Sequence, residues 1–330
     1  MFTEAFEALL RDHCTPAAVR VIESGGAHAL LWDVITDSGF LELMASEDAG
    51  GAGQDLAVAL PILRLLGAHA MPLPVGQAIA LRTLLPAGET VPKGMPTFAP
   101  ALTRGADGSL QAPRVPFGAL ADHVVGELDG ELLLLDAAEA QRRSLGIHHD
   151  ATADLTWNAA VARRAGRVLS GAAPAGSLAA WGAALHAALL AGALARSFEL
   201  ALQYGNDRVQ FGKPIGKFQA IQHQLAVMAE HVAAAQMAAA GAFSAGRTIP
   251  ASLPAAVAKA RGSEAVTVVA PIAHAVHGAI GVTDEYDLQL FTRRLHGWRM
   301  AHGSEAYWHR VIGEQLLADS EPVSRFIRMI

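Results

Sequence analysis

The chain has 330 residues, 52% of them hydrophobic and 17% charged, with a net charge of -6. Such a composition makes a globular protein of two or three domains, and its mixed charge excludes an electrostatic footprint for nucleic acid. The single Cys14 excludes a disulfide framework and a multi-cysteine metal site, and fits a reducing cytoplasm.

The N-terminus opens Met1-Phe2-Thr3-Glu4 and lacks the basic-then-apolar pattern of a signal peptide. Residues 1–92 read as an N-terminal helical domain built from short pieces. Phe6, Leu9 and Leu10 share one face, and Thr15-Pro16 reads as an N-cap followed by proline at the first helical position. The run "ALLWDVITDSG" ends on a C-cap glycine, Gly39. The loop "SEDAGGAGQD" has no phosphate-cradle spacing and reads as a helix-helix connection, after which residues 56–66 resume helical periodicity.

Residues 93–172 read as a small β domain. "DHVVGELDGELLLLDA" places Asp129-Gly130 between two β-prone runs, a two-residue hairpin signal. "PTFAPAL" and "ADLTWNAAV" are further strands. The unbroken apolar run 132–135 predicts a strand buried on both faces.

Residues 173–330 read as a four-helix bundle. The first helix runs to about residue 204, where Gly205-Asn206 stops it. The uncharged, alanine-rich stretch 171–195 reads as a helix buried in that bundle, and no membrane span is expected. The second helix begins near Phe218, with Ile221, Leu225, Met228 and Val232 on one stripe. A third occupies about 254–277 and a fourth the region after Glu285.

Between the first two bundle helices lies "DRVQFGKPIGKFQ". An arginine in such a turn can pair with a phosphate while an aromatic and an amide contact a flat heterocycle. It can also cap the preceding helix, with the phenylalanine in the core, and spacing alone favours that plainer reading.

Four segments in order change the weighting: "WDVITDSGFLELMASEDAGGAGQD", "GSLQAPRVPFGALADHVV" with its Ala121-Asp122 pair, the 207–219 stretch, and "HGAIGVTDEYDLQLFTRR" at 277–294. Together they resemble the acyl-CoA dehydrogenase family over most of the chain. The resemblance implies a mainly α architecture: an N-terminal helical domain, a middle β domain (here reduced) and a C-terminal four-helix bundle. It implies FAD-dependent α,β-dehydrogenation of an acyl-CoA thioester, in which a carboxylate takes the α proton and the β hydrogen leaves as hydride to the flavin. The family is oligomeric, and a neighbouring subunit holds the adenosine-pyrophosphate half of each FAD. By that resemblance Arg208, Phe211 and Gln219 fall to the cross-subunit grip, and Phe218, Gly278, Gly303 and Ser304 are further cofactor-binding candidates.

The family's proton acceptor is missing. At one of its two usual positions stands His302, before Gly303-Ser304; at the other, counted back from Arg208, stands Gly182. An imidazole can act as a base near neutral pH if a partner orients it, and Glu305 is one such partner. Family glutamines and a glycine correspond to Ala275, Ala306 and Ala279, and the flavin-wrapping run is reduced to "ALTRGADGS", holding Thr103 and Ser109. The strand that faces the flavin reads Arg114-Val115-Pro116. Residues that reach toward a neighbour's FAD survive, while those for the chain's own flavin and base are eroded. The chain therefore resembles the non-catalytic partner in heteromeric steroid-degrading members of the family. Three expectations stand: an enzyme of acyl-CoA (fatty acid or steroid side-chain) oxidation with His302 as base; a subunit completing a paralogous catalytic partner's FAD site; or a homo-oligomer that binds acyl-CoA without oxidising it.

The late histidines, His274, His277, His296, His302 and His309, lack a zinc-binding pattern, and no metal is expected. His148-His149-Asp150 reads as a solvated loop. Asp284, Glu285 and Asp287 read as an acidic turn paired with Arg293-Arg294.

Overall fold

Residues 2–86, 88–145, 150–169, 171, 173–318 and 324 are described in the computed structural model. His148 and His149 lie outside them. The N-terminal part holds α1 (Phe2–His13), α2 (Pro16–Glu23), α3 (Ala29–Asp37), α4 (Leu56–Ala68) and α5 (Val75–Leu84). Thr15 caps α2 by accepting from Ala18 N, with Pro16 at its first position. Asp55 caps α4 in the same way by accepting from Val58 N. Gly39 leaves α3 at φ 78°, in the left-handed region.

The middle part holds β1 (Pro96–Phe98), β2 (Thr103–Arg104), β3 (Leu110–Val115), β4 (His123–Leu128), β5 (Glu131–Asp136), β6 (Gln141–Ser144), β7 (Ala153–Trp157), α6 (Ala159–Ala165) and β8 (Gly166–Val168). They form two four-stranded sheets, ordered β1-β4-β5-β8 and β2-β3-β7-β6. Asp129 and Gly130 both take positive φ, 53° and 82°, as a two-residue hairpin turn requires, and Leu128 faces Glu131. The apolar run of β5 divides between two cores. Leu133 and Leu135 join the β-domain core, and Leu132 and Leu134 pack into the helical one.

The C-terminal part holds α7 (Ser177–Asp207), the short strands β9 (Val209–Gln210) and β10 (Lys213–Pro214), α8 (Gln219–Ala242), α9 (Ser252–His277), α10 (Leu288–Met300) and α11 (Glu305–Ala318). The region after Glu285 is thus two helices, α10 and α11, broken by the turn that carries His302. Gly205 does not stop α7. It gives room for a close approach, since a β-carbon on Gly216 would lie 3.0 Å from the Gly205 carbonyl. Two other glycines bring α4 and α7 backbone to backbone: a β-carbon on Gly67 would meet the Leu189 carbonyl at 2.1 Å, and one on Gly192 the Arg64 carbonyl at 2.0 Å.

α7 and α9 run parallel, with the ring of Tyr204 on that of His277 at one end and Gly262 on Leu190 further back. Among the described residues three helical segments, α7, α8 and residues 252–282, are long and apolar enough to cross a membrane by length and composition. Nearly all of the apolar window of α7 is buried among the other elements.

The N-terminal helices are tied to α10 by ions. Arg293 and Arg294 do not pair with the acidic turn as expected. Both reach Glu23 of α2 at 2.9 Å, and Asp287 pairs instead with Arg20 at 2.8 Å. The packing of α2 on α10 brings Glu23 nearer to both guanidinium groups than the turn's own carboxylates are.

Candidate functional site

The turn 301–304 between α10 and α11 is the first element of the site. His302 and Gly303 both take positive φ, 51° and 95°. That conformation turns the His302 ring inward, where it is buried on α7. It lies 4.9 Å, centroid to centroid, from His186, and a β-carbon on Gly182 would fall 2.1 Å from its Nδ1. Gly182 and His302, far apart in sequence, therefore share one place in space. Glu305 does not orient His302, because the Arg299 guanidinium holds its carboxylate.

Behind the turn, Lys259 of α9 is fully buried and donates to Gly303 O (2.7 Å), Arg299 O (2.8 Å) and Ser263 Oγ (2.9 Å). Burial, then electrostatic coupling to His186 and Lys259, holds the His302 imidazole well below the usual histidine range. His186 is pushed down to about 3 by burial, with Lys259 adding. Its Nδ1 bonds the Gly182 carbonyl at 2.7 Å, and Nε2 of each imidazole is buried with no hydrogen-bond partner among the described residues.

His302 faces a cavity of about 290 Å³ lined also by Ala99, Pro100, Ala101, Glu127 and Leu178. Glu127 is committed elsewhere: its oxygens accept from Gly176 N at 3.1 and 3.2 Å, capping α7. Thr103 and Ser109 do not line the cavity; they sit in the β2–β3 hairpin, where Ser109 is engaged with Asp107.

The second element is the β9–β10 hairpin at the far end of α7. Phe211 stands 91% exposed at a φ of 52°, its ring edge-on to Phe218 at 6.2 Å. Lys213 lies over the Phe218 ring at 4.3 Å. Arg208 is exposed, and its guanidinium has no partner among the described residues; Gln219, the first residue of α8, is exposed too. Gly278 ends α9 near this hairpin, at φ 65° and ψ -145°, a conformation open essentially to glycine. A neighbouring cavity of about 410 Å³ is lined by Tyr204, Asp207, Glu285 and Tyr286, whose carboxylates do not suit a phosphate.

The expected site residues thus separate into two groups. His302, Gly303 and Ser304 lie at one end of α7. Arg208, Phe211, Phe218, Gln219 and Gly278 lie at the other. From Gly182 to Asp207 is 207 - 182 = 25 residues of one helix, or roughly 38 Å at 1.5 Å per residue. Residues of the hairpin fit an FAD in kind: a free guanidinium for its pyrophosphate and an unburied aromatic ring for its adenine. The His302 cavity has room for part of a flat ring, walled mostly by small residues; of its two lining carboxylates, Glu127 is held by Gly176 N and Asp129 is exposed. His186 and Lys259 were not singled out from sequence. Lys259 sits in an alanine-rich helix that looks featureless, and its one sequence-level signal is the four-residue spacing to Ser263.

Residues 170–317 match the family model described as acyl-CoA dehydrogenase, C-terminal domain. Acyl-CoA dehydrogenase IpdE2 of Mycolicibacterium smegmatis is 34% identical over 309 residues, covering 90% of this chain and 92% of that protein. The chain belongs to the acyl-CoA dehydrogenase family. Its fold matches the ChsE4-ChsE5 complex of Mycobacterium tuberculosis, with a TM-score of 0.80, 20% identity, and 97% and 96% of the two chains covered. It matches the Tcur3481-Tcur3483 steroid ACAD with a TM-score of 0.74, 22% identity, and 96% of each chain covered.

Proposed function

We propose that this chain is the cofactor-completing subunit of a heteromeric, FAD-dependent acyl-CoA dehydrogenase. The observation that carries the reading is the separation of its two site elements. The hairpin bearing Arg208 and Phe211 lies roughly 38 Å along α7 from the chain's own His302 cavity. Its ring and guanidinium face solvent, available to a second chain. A flavin dinucleotide held beside His302 does not reach that hairpin, so the hairpin serves the FAD of a neighbour.

The His302 end supports the same reading. The bound FAD supplies the hydride acceptor for α,β-desaturation of an acyl-CoA thioester, and the α proton needs a base. Protonating His302 would create a buried imidazolium next to the Lys259 cation, with burial opposing it as well. A good proton acceptor has a pKa near the working pH, and His302 is held far below it. The relatives agree in kind: ChsE4-ChsE5 is a complex, and Tcur3481-Tcur3483 is a steroid ACAD. The partner is a paralogous chain with a carboxylate at one of the two base positions, and the substrate is an acyl-CoA of fatty acid or steroid side-chain breakdown.

A second reading, catalysis by this chain with His302 as base, is favoured by the unpartnered Nε2 beside the cavity. One experiment separates the two: purify the chain alone and together with the paralogous subunit, record flavin absorbance, and add acyl-CoAs anaerobically. A colourless chain that gains flavin and bleaches only with its partner supports the proposal. Stoichiometric flavin in the isolated chain that bleaches with a thioester overturns it.

A further inference from the structure

His302 occupies an unfavourable backbone conformation. A non-glycine residue in the left-handed region costs about 1–2 kcal/mol, and a stable turn of this kind is held by its surroundings. Trp308 Nε1 donates to His302 O at 2.9 Å, and Glu305 holds Arg299. Both are local to the turn. Lys259 comes from a different helix, about forty residues earlier in the chain, and takes the carbonyls on either side of His302: Arg299 O before it and Gly303 O after it. Because α9 also packs on α7, Lys259 fixes the turn relative to Gly182 and His186.

We propose that Lys259 is a positioning residue for the His302 turn, its ammonium clamping the flanking carbonyls so that the imidazole is seated on Gly182. Three acceptors within 2.9 Å match the three N–H groups of an ammonium, whereas a neutral amine has two. A cation also suits the last turn of α10, where Arg299 O is a terminal carbonyl. The titratable and charged groups around it are the neutral imidazoles of His186 (α7) and His302, with Arg299 of α10 and Glu305 of α11. Burial draws Lys259 down to about 7, with Glu305 opposing and Arg299 adding. The clamp thus sets both the place of the His302 ring and its electrostatic surroundings. The inference concerns the turn alone and stands whether this pocket or a partner's carries out the oxidation.

The test uses the full chain. Lys259→Met keeps the apolar stem and removes the ammonium. Amide hydrogen exchange over residues 300–305 is expected to quicken at least tenfold. The His302 imidazole, assigned by its loss in His302→Gln, is expected to titrate at higher pH by 15N NMR, because a neighbouring positive charge has gone. A folded variant with the exchange and the titration both unchanged overturns the proposal; a filler role for the stem would leave the titration in place. Should Lys259→Met not fold, the wild-type chain decides: at pH 6 the Lys259 Nζ resonance must be that of an ammonium with slowly exchanging protons. A neutral or rapidly exchanging amine there overturns the proposal equally.

Discussion

Nδ1 of His302 lies where a β-carbon on Gly182 would come within 2.1 Å of it. The two residues are 120 positions apart in sequence (302 - 182) and share one volume, so the absence of a side chain on α7 and the presence of an imidazole on the turn are a single packing solution. Gly182→Ala forces the ring or the turn to move, and both carbonyls flanking the ring are clamped. Overpacking of this kind costs about 1–3 kcal/mol. His302→Ala should relieve it, so a double-mutant cycle by urea denaturation is expected to show a favourable coupling of about 1 kcal/mol or more. Additive effects would mean that the two groups do not compete for space.

The buried imidazoles make stability depend on pH in a set direction. His186 has a folded pKa of about 3, and His302 is also held well below the ordinary value. Between roughly pH 3 and 6.5 the unfolded chain binds more protons than the folded one, so stability falls as pH is lowered through that window. Each histidine contributes up to about 1.4 kcal/mol per pH unit. Lys259 acts at the other end: drawn down to about 7 in the folded chain from the ordinary lysine value of about 10.5, it makes stability rise with pH between those values. Denaturation midpoints at pH 7.5 and 5.5 should differ clearly, and by less in His302→Gln. An equal difference in that variant would remove His302 from the account.

Arg208 and Phe211 are exposed and support little of the chain's own core, so Arg208→Ala and Phe211→Ala should leave its melting temperature within about one degree of wild type. In the assembled complex the outcome differs. Losing a charge-assisted contact costs about 1.5–3 kcal/mol, which is roughly tenfold to a hundredfold in flavin retention. Flavin content after gel filtration of the complex measures it. Unchanged flavin in Arg208→Ala would leave the hairpin without its proposed role.

Much of this was legible in the residues, for reasons specific to each. Asp129-Gly130 forms its hairpin because few dipeptides accept two consecutive positive φ values. The split burial of Leu132 to Leu135 follows from a strand lying between two cores. What stayed hidden was tertiary. Gly205 has the look of a helix stop, and only the approach of Gly216 shows why α7 continues through it. Glu305 is well placed in sequence to serve His302, yet Arg299 takes it. Lys259 resembles any solvent-facing lysine of an alanine-rich helix until the α10–α11 turn folds over it. The meeting of Gly182 with His302 depends on the packing of that turn against α7, which spacing along the chain does not record.

The clamp between α2 and α10 carries the last prediction. Glu23 pairs ionically with Arg293 and Arg294 at 2.9 Å each, and the side chains of Glu23 and Arg294 are each only 8% exposed. Such a pair is expensive to break on one side, because the remaining charge keeps its desolvation cost and loses its compensation. Glu23→Gln is therefore expected to destabilise the chain by about 3–5 kcal/mol, read as a lowered urea midpoint with an unchanged slope. Replacing both buried partners with apolar residues, as in Glu23→Leu with Arg294→Met, removes the stranded charge and should cost less than Glu23→Gln alone. Arg20→Ala breaks only a half-exposed pair with Asp287 and should cost no more than about 1 kcal/mol. If Glu23→Gln and Arg20→Ala were equally mild, the N-terminal helices would be held to α10 by their apolar faces, and the buried ions would add nothing to the joint.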